Sequence, residues 1–236
     1  MKKLLAGLLC LALCLIPARA ESPVEQEKQV LGYVALTFDD GPSGGMTEKL
    51  LRGLEERDAR ATFFLCGYRM DRYPELMAQY AAGGHEVGVH STVHADLTKL
   101  SREAVHEDMS STAQKIYDCT GIRPTVMRPP GGAYDQTVQQ EAGDEGMSVI
   151  LWSVDPRDWA SHNASAVLQT MAGKAAAGDI ILMHDMSESS VSAALGLVDT
   201  LQKKGYCFVT VSELAKLSGV EMRPGVVYKH FRSQGN

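Results

Sequence analysis

The stretch YVALTFDDGP, Tyr33 to Pro42, decides how the rest of the chain is read. Its first six residues are β-branched, aromatic or apolar, the composition of a buried strand. Two carboxylates follow, Asp39 and Asp40, and then the turn signal Gly41-Pro42. α/β enzymes commonly bring chemistry to the C-terminal ends of buried strands. Two acids side by side raise one another's pKa unless something positive intervenes. A metal site or an arginine is therefore expected elsewhere in the chain.

Working outward, the same alternation repeats. Leu50, Leu51 and Leu54 form a helical face within 47–57, which Thr47 is suited to cap, and ATFFL at 61–65 reads as a second strand. Helix is expected over 73–82, closed by Gly83-Gly84, and strand over 85–89. A long helix opens at Ser101 with Glu103 in its first turn and ends before Gly121. Strands at 124–127, 148–154, 179–183 and 206–209 alternate with helices at 134–145, 164–177, 190–204 and 212–217. Strict β–α alternation with apolar strands implies a parallel sheet with right-handed crossovers. The fold class expected is α/β, a distorted (β/α) barrel of about seven parallel strands with the active site on the strand C-terminal rim. An open doubly wound sheet is the alternative.

Composition sets the outer limits. The chain has 236 residues and is 44% hydrophobic, enough for one domain with a sizeable core. Residues 1–20 read as a signal peptide: Lys2-Lys3, an apolar run, then Ala18-Arg19-Ala20 as a cleavage site. The apolar run is short for a membrane span, which needs about 20 residues. Residues 21–32 read as a flexible approach, 33–217 as the catalytic domain and 218–236 as an irregular tail. Loss of the leader leaves 20 Lys and Arg against 29 Asp and Glu, a formal charge of −9. That balance argues against nucleic acid as a partner. Cys66, Cys119 and Cys207 remain, an odd number that makes no disulfide framework.

The polar clusters share one kind of place. Asp39-Asp40, His90 with His94, Arg128, Asp155 with Asp158 and Trp159, and His184 all fall at expected strand ends. In a parallel barrel those ends form a single rim, so the clusters converge on one cleft. His90 and His94, four apart, would share a face if their segment were helical. With one aspartate they make a two-histidine, one-carboxylate set with positions open for water and substrate. Zinc is the expected ion, and Co, Ni, Fe or Mn suit the same donors. The second aspartate is then free to act as a base. His85, His106, His162 and His230 read as surface or local structure.

TFDDGP at 37–42, HSTVH at 90–94, RPPGG at 128–132, DPRDW at 155–159 and LMH at 182–184 occur in that order. With these motifs the chain resembles the polysaccharide deacetylase family, carbohydrate esterase family 4, from about residue 33 to 217. The resemblance implies that Asp39 is the general base and that Asp40, His90 and His94 hold the metal. It implies that Arg128 orients Asp39, that His184 is the general acid held by Asp155, and that Trp159 and Leu182 line the acetyl pocket. Many relatives carry a bulky residue where this chain has Gly131, so a more open sugar groove is expected there. The implied activity is secreted, metal-dependent N-deacetylation of N-acetylglucosamine-type residues in peptidoglycan or chitin-like glycans, with release of acetate. Two other readings are an O-acetyl xylan esterase on the same site and a non-catalytic wall-glycan-binding protein.

Overall fold

The computed structural model describes residues 30–171 and 173–233. The leader expected at 1–20, and the approach segment as far as residue 29, lie outside the described residues.

The chain runs β1 (Gly32–Gly41), α1 (Gly45–Glu55), β2 (Ala61–Cys66), α2 (Gly67–Arg72), α3 (Pro74–Ala82), β3 (Glu86–Ser91) and α4 (Arg102–Thr120). It continues with β4 (Val126–Met127), α5 (Gln136–Asp144), β5 (Ser148–Ile150), α6 (Asp158–Ser161), α7 (Ala164–Met171) and β6 (Ile180–His184). The last elements are α8 (Glu188–Lys203), β7 (Tyr206–Phe208), α9 (Val211–Leu217) and β8 (Val227–Tyr228). The sheet order is β6-β1-β2-β3-β4-β5-β8, with every neighbouring pair parallel. β7 lies beside the first residues of β1, from Gly32 to Val34. Beyond β5 a parallel bridge joins Val154 to Ile181 of β6, so the sheet curls until its sides meet. This is the distorted α/β barrel expected.

Strand pleating sorts the side chains. Val34, Leu36 and Phe38 of β1 pack into the large cluster that also holds Leu50, Leu54 and Leu197 of the helices. Ala35, alternating with them, joins Phe64, Val126, Ile150 and Ile180 in a smaller cluster on the other side of the sheet. Thr37 and Asp39 continue the Ala35 row, which points them into the barrel.

Three local expectations are corrected. The tail is not irregular throughout: Val227 and Tyr228 pair with β5, Phe231 is buried, and Arg232 bonds the buried Asp179. The pairing partner is far away in sequence, so the segment carries no strand signal of its own. Thr47 does not cap α1, whose N-cap is Gly44; its hydroxyl turns back to accept from Ser43 N–H. The short helix α2 fills the loop after β2, where none was expected. Cys66, Cys119 and Cys207 are free thiols.

Candidate active site

Adjacent residues on a regular strand face opposite ways, so Asp39 and Asp40 could not both reach one cleft. A bulge resolves this. Asp39 pairs with Phe64 and Gly41 with Leu65, which leaves Asp40 as the extra residue, at φ 70°. β3 repeats the device: Leu65 pairs with Val89 and Cys66 with Ser91, leaving His90 extra. Each of these two bulges re-aims a polar side chain at the rim.

Asp39 is nearly buried, and its Oδ1 accepts from Arg128 Nη1 at 2.7 Å. Arg128 is wholly buried at 0% exposure. Its three nitrogens make four hydrogen bonds: Nη1 also donates to Thr37 Oγ1 at 2.8 Å, Nε to Ile150 O at 3.1 Å, and Nη2 to Leu151 O at 3.1 Å. The guanidinium lies over the Phe64 ring at 4.2 Å. Burial pulls its pKa down, while the Asp39 charge acts the other way.

Asp40 Oδ1 stands 3.3 Å from His90 Nε2 and 3.2 Å from His94 Nε2. His90 is buried, and its Nδ1 lies 2.7 Å from Arg128 O. A carbonyl can only accept, so Nδ1 carries the proton and Nε2 faces Asp40. Burial alone would raise the Asp40 pKa. The two imidazoles outweigh it and hold the carboxyl well below the usual carboxylate range. The same carboxylate raises His94, against partial burial. Asp40 Oδ1 is buried, yet among the described residues no hydrogen bond reaches it. One carboxylate oxygen and two ring nitrogens within 4.8 Å of one another form a donor set that fits a divalent cation.

His90 and His94 are not on a helix. His90 belongs to β3 and His94 to the loop after it, at φ 58°. Ser91 Oγ accepts from Val93 N and Ala95 N, which builds the turn. The buried Asp108 of α4 accepts from Thr92 N at 3.0 Å and anchors it. Nothing in the sequence singled out Asp108 from Glu103, Glu107 and Asp118 on the same helix.

His184, at the end of β6, is held by Asp158 and not by Asp155. Its Nδ1 lies 3.1 Å from Asp158 Oδ1, and its backbone N donates to Asp158 Oδ2 at 3.0 Å. Asp155 is exposed and accepts from Arg157 N at 2.7 Å. Arg157 adopts φ 55°, reversing the chain, so the first acid of DPRDW stays outside and the second turns in. Burial disfavours a charged His184 ring, but Asp158 outweighs it and the pKa is raised.

These groups open on a cleft of about 620 Å³, which Gly131, Asp155, Trp159 and Leu182 also line. Trp159 is 53% exposed, a broad aromatic face at the mouth. His162, read from sequence as bland, lines the cleft too, with Trp152 and Met186. The structure thus brings every anticipated site residue to one rim, with Arg128 beneath it.

Residues 27–150 match the polysaccharide deacetylase family. The chain is 37% identical over 199 residues to the peptidoglycan-N-acetylglucosamine deacetylase PgdA of Listeria monocytogenes, covering 84% of this chain and 42% of that protein. It therefore spans about two fifths of that relative's length. It is also 37% identical over 188 residues to a peptidoglycan-N-acetylglucosamine deacetylase of Bacillus cereus, covering 78% of this chain and 88% of the relative. The solved peptidoglycan deacetylase PdaC of Bacillus subtilis superposes with a TM-score of 0.76 at 36% identity, covering 82% of this chain and 93% of that one. On the family match, the barrel and the rim residues together, the chain belongs to the polysaccharide deacetylase family.

Proposed function

We propose that this protein hydrolyses the N-acetyl group of N-acetylglucosamine-type residues in peptidoglycan or chitin-like glycans, releasing acetate. The observation that carries this reading is one cleft with a carboxylate beside a donor triad and a histidine whose pKa is raised. The names of the Listeria and Bacillus relatives point to peptidoglycan as the substrate. The leader expected at 1–20 makes export to the cell wall part of the proposal.

Amide hydrolysis needs an activated water, a stabilised oxyanion and a proton for the departing amine. Asp40, His90 and His94 would hold a divalent cation, with zinc first and Co, Ni, Fe or Mn as alternatives. When bound, such an ion polarises the acetyl carbonyl and acidifies the attacking water. Asp39 takes the proton from that water. Arg128 fixes the direction of Asp39 through their 2.7 Å contact. His184, kept protonated by Asp158, delivers the proton to the sugar nitrogen as the C–N bond breaks. Trp159 and Leu182 wall the acetyl group, and the Gly131 segment borders the sugar.

The test is acetate release from peptidoglycan and from N-acetylglucosamine oligomers, with the protein chelated and then reloaded with each metal. Turnover that depends on the added ion, with mass spectrometry showing glycans that have lost acetyl groups, is expected. Tight glycan binding without turnover under any ion would leave the binding role instead. His184→Ala separates amide from ester chemistry. An alkoxide leaves more readily than an amine, so N-deacetylation should fall much further than hydrolysis of acetylated xylan. Equal losses would contradict the amide assignment.

A further inference from the structure

One wholly buried charged side chain at the rim has no part in the chemistry above. Asp185 follows His184 at the end of β6 and is 0% exposed. Hydroxyl groups meet both of its oxygens. Ser43 Oγ donates to Oδ1 at 3.0 Å, and Thr47 Oγ1 donates to Oδ2. Thr47 Oγ1 in turn accepts from Ser43 N–H at 2.7 Å. These three bonds close a ring that joins the end of β6, the turn after the aspartate doublet and the first turn of α1.

The backbone after Asp40 lies against this carboxylate. A Cβ on Gly41 would stand 3.2 and 3.3 Å from the two Asp185 oxygens and 3.4 Å from the Tyr80 hydroxyl. That hydroxyl is buried and has no hydrogen-bond partner among the described residues. A side chain on Gly41 would be a tight fit, so glycine lets the strand end settle close to a polar group. The hydrogen bonds of Asp185 to Ser43 and Thr47 tie it to the turn that follows Asp39 and Asp40 and to the start of α1.

We infer that Asp185 is a positioning residue: through Ser43 and Thr47 it sets where the aspartate-doublet turn sits against β6. It thereby fixes Asp40 relative to His90 and His94, and Asp39 relative to His184. The part that concerns rate rests on the hydrolase reading; the part that concerns the donor triad does not.

The test uses the full chain and the variants Asp185→Leu, Asp185→Asn and Thr47→Val. Cobalt(II) and zinc(II) affinities are read by calorimetric titration, and kcat and KM from acetate release at saturating ion. Asp185→Leu is expected to weaken ion affinity about 10- to 100-fold, the range seen when outer partners of metal ligands are removed. It is expected to lower kcat with KM nearly unchanged. Asp185→Asn, which keeps one acceptor oxygen, recovers most of both, and Thr47→Val shifts both in the direction of Asp185→Leu. A folded Asp185→Leu with ion affinity and kcat within twofold of wild type overturns the inference. If Asp185→Leu does not fold, Thr47→Val decides by the same two measures. The ion titration stands even if the wild-type protein releases no acetate, so failure of the deacetylase reading is told apart from failure of this one.

Discussion

Arg128 is the residue on which Asp39, the proposed base, depends, and its surroundings say what its removal does. The guanidinium is spent on two backbone carbonyls, one hydroxyl and one carboxylate, with an aromatic face beneath. Arg128→Met would leave Asp39 buried and unpaired. Breaking a buried pair in this way costs about 3–5 kcal/mol, which denaturant unfolding would measure. Arg128→Lys should not rescue it, because an ammonium lacks the planar fork that serves four acceptors. Asp158 offers a second test at this scale. Its charge raises His184, so the ring stays protonated to higher pH, and in the proposed reaction its proton is lost as pH rises through that raised pKa. Asp158→Asn removes the opposing charge and leaves burial to dominate. The alkaline limb of the kcat profile for N-deacetylation should then move to lower pH. Asp155→Asn should leave that limb where it is, because Asp155 touches Arg157 N and not the ring.

At the scale of elements, the two bulged strands do the aiming, and their packing tolerates little. Gly88 of β3 has the Phe64 ring and Val126 O each 2.8 Å from where a Cβ would be. Phe64 supports Arg128, so a push at Gly88 travels to Arg128 and the Asp39 it holds. Gly88→Ala is expected to destabilise the protein by about 1–3 kcal/mol, as overpacking does, and to lower kcat as well. Thermal melts and acetate release would check the two effects. Near-continuous apolar runs made these strands legible, since buried strands must present apolar side chains on both faces. The bulges at Asp40 and His90 were not legible, because an extra residue leaves the same string of letters and shows only in the pairing register. The four-residue spacing of His90 and His94 was read through helical geometry. A turn held by Ser91 and Asp108 produces it instead.

For the whole molecule, closure involves the tail. β8 covers β5, Phe231 stacks on Tyr228 at 5.4 Å, and Arg232 pairs with Asp179, which is fully buried. Truncation after Ser218 would expose that edge and take Arg232 from Asp179, leaving the carboxylate only its bonds from Ser153 Oγ and Ala176 N. A loss of stability is expected, seen as a lower Tm and reduced soluble yield. The order of strands and helices determined by itself that the sheet is parallel and that the polar clusters share one rim. Alternation of apolar strands with helices permits few other topologies, and every parallel strand ends on the same side. Only the tertiary structure decided which acid holds His184, which element anchors the histidine turn, what Asp185 faces and that the tail forms a strand. Those choices depend on a backbone reversal at Arg157 and on partners more than ten residues away, which local composition does not encode.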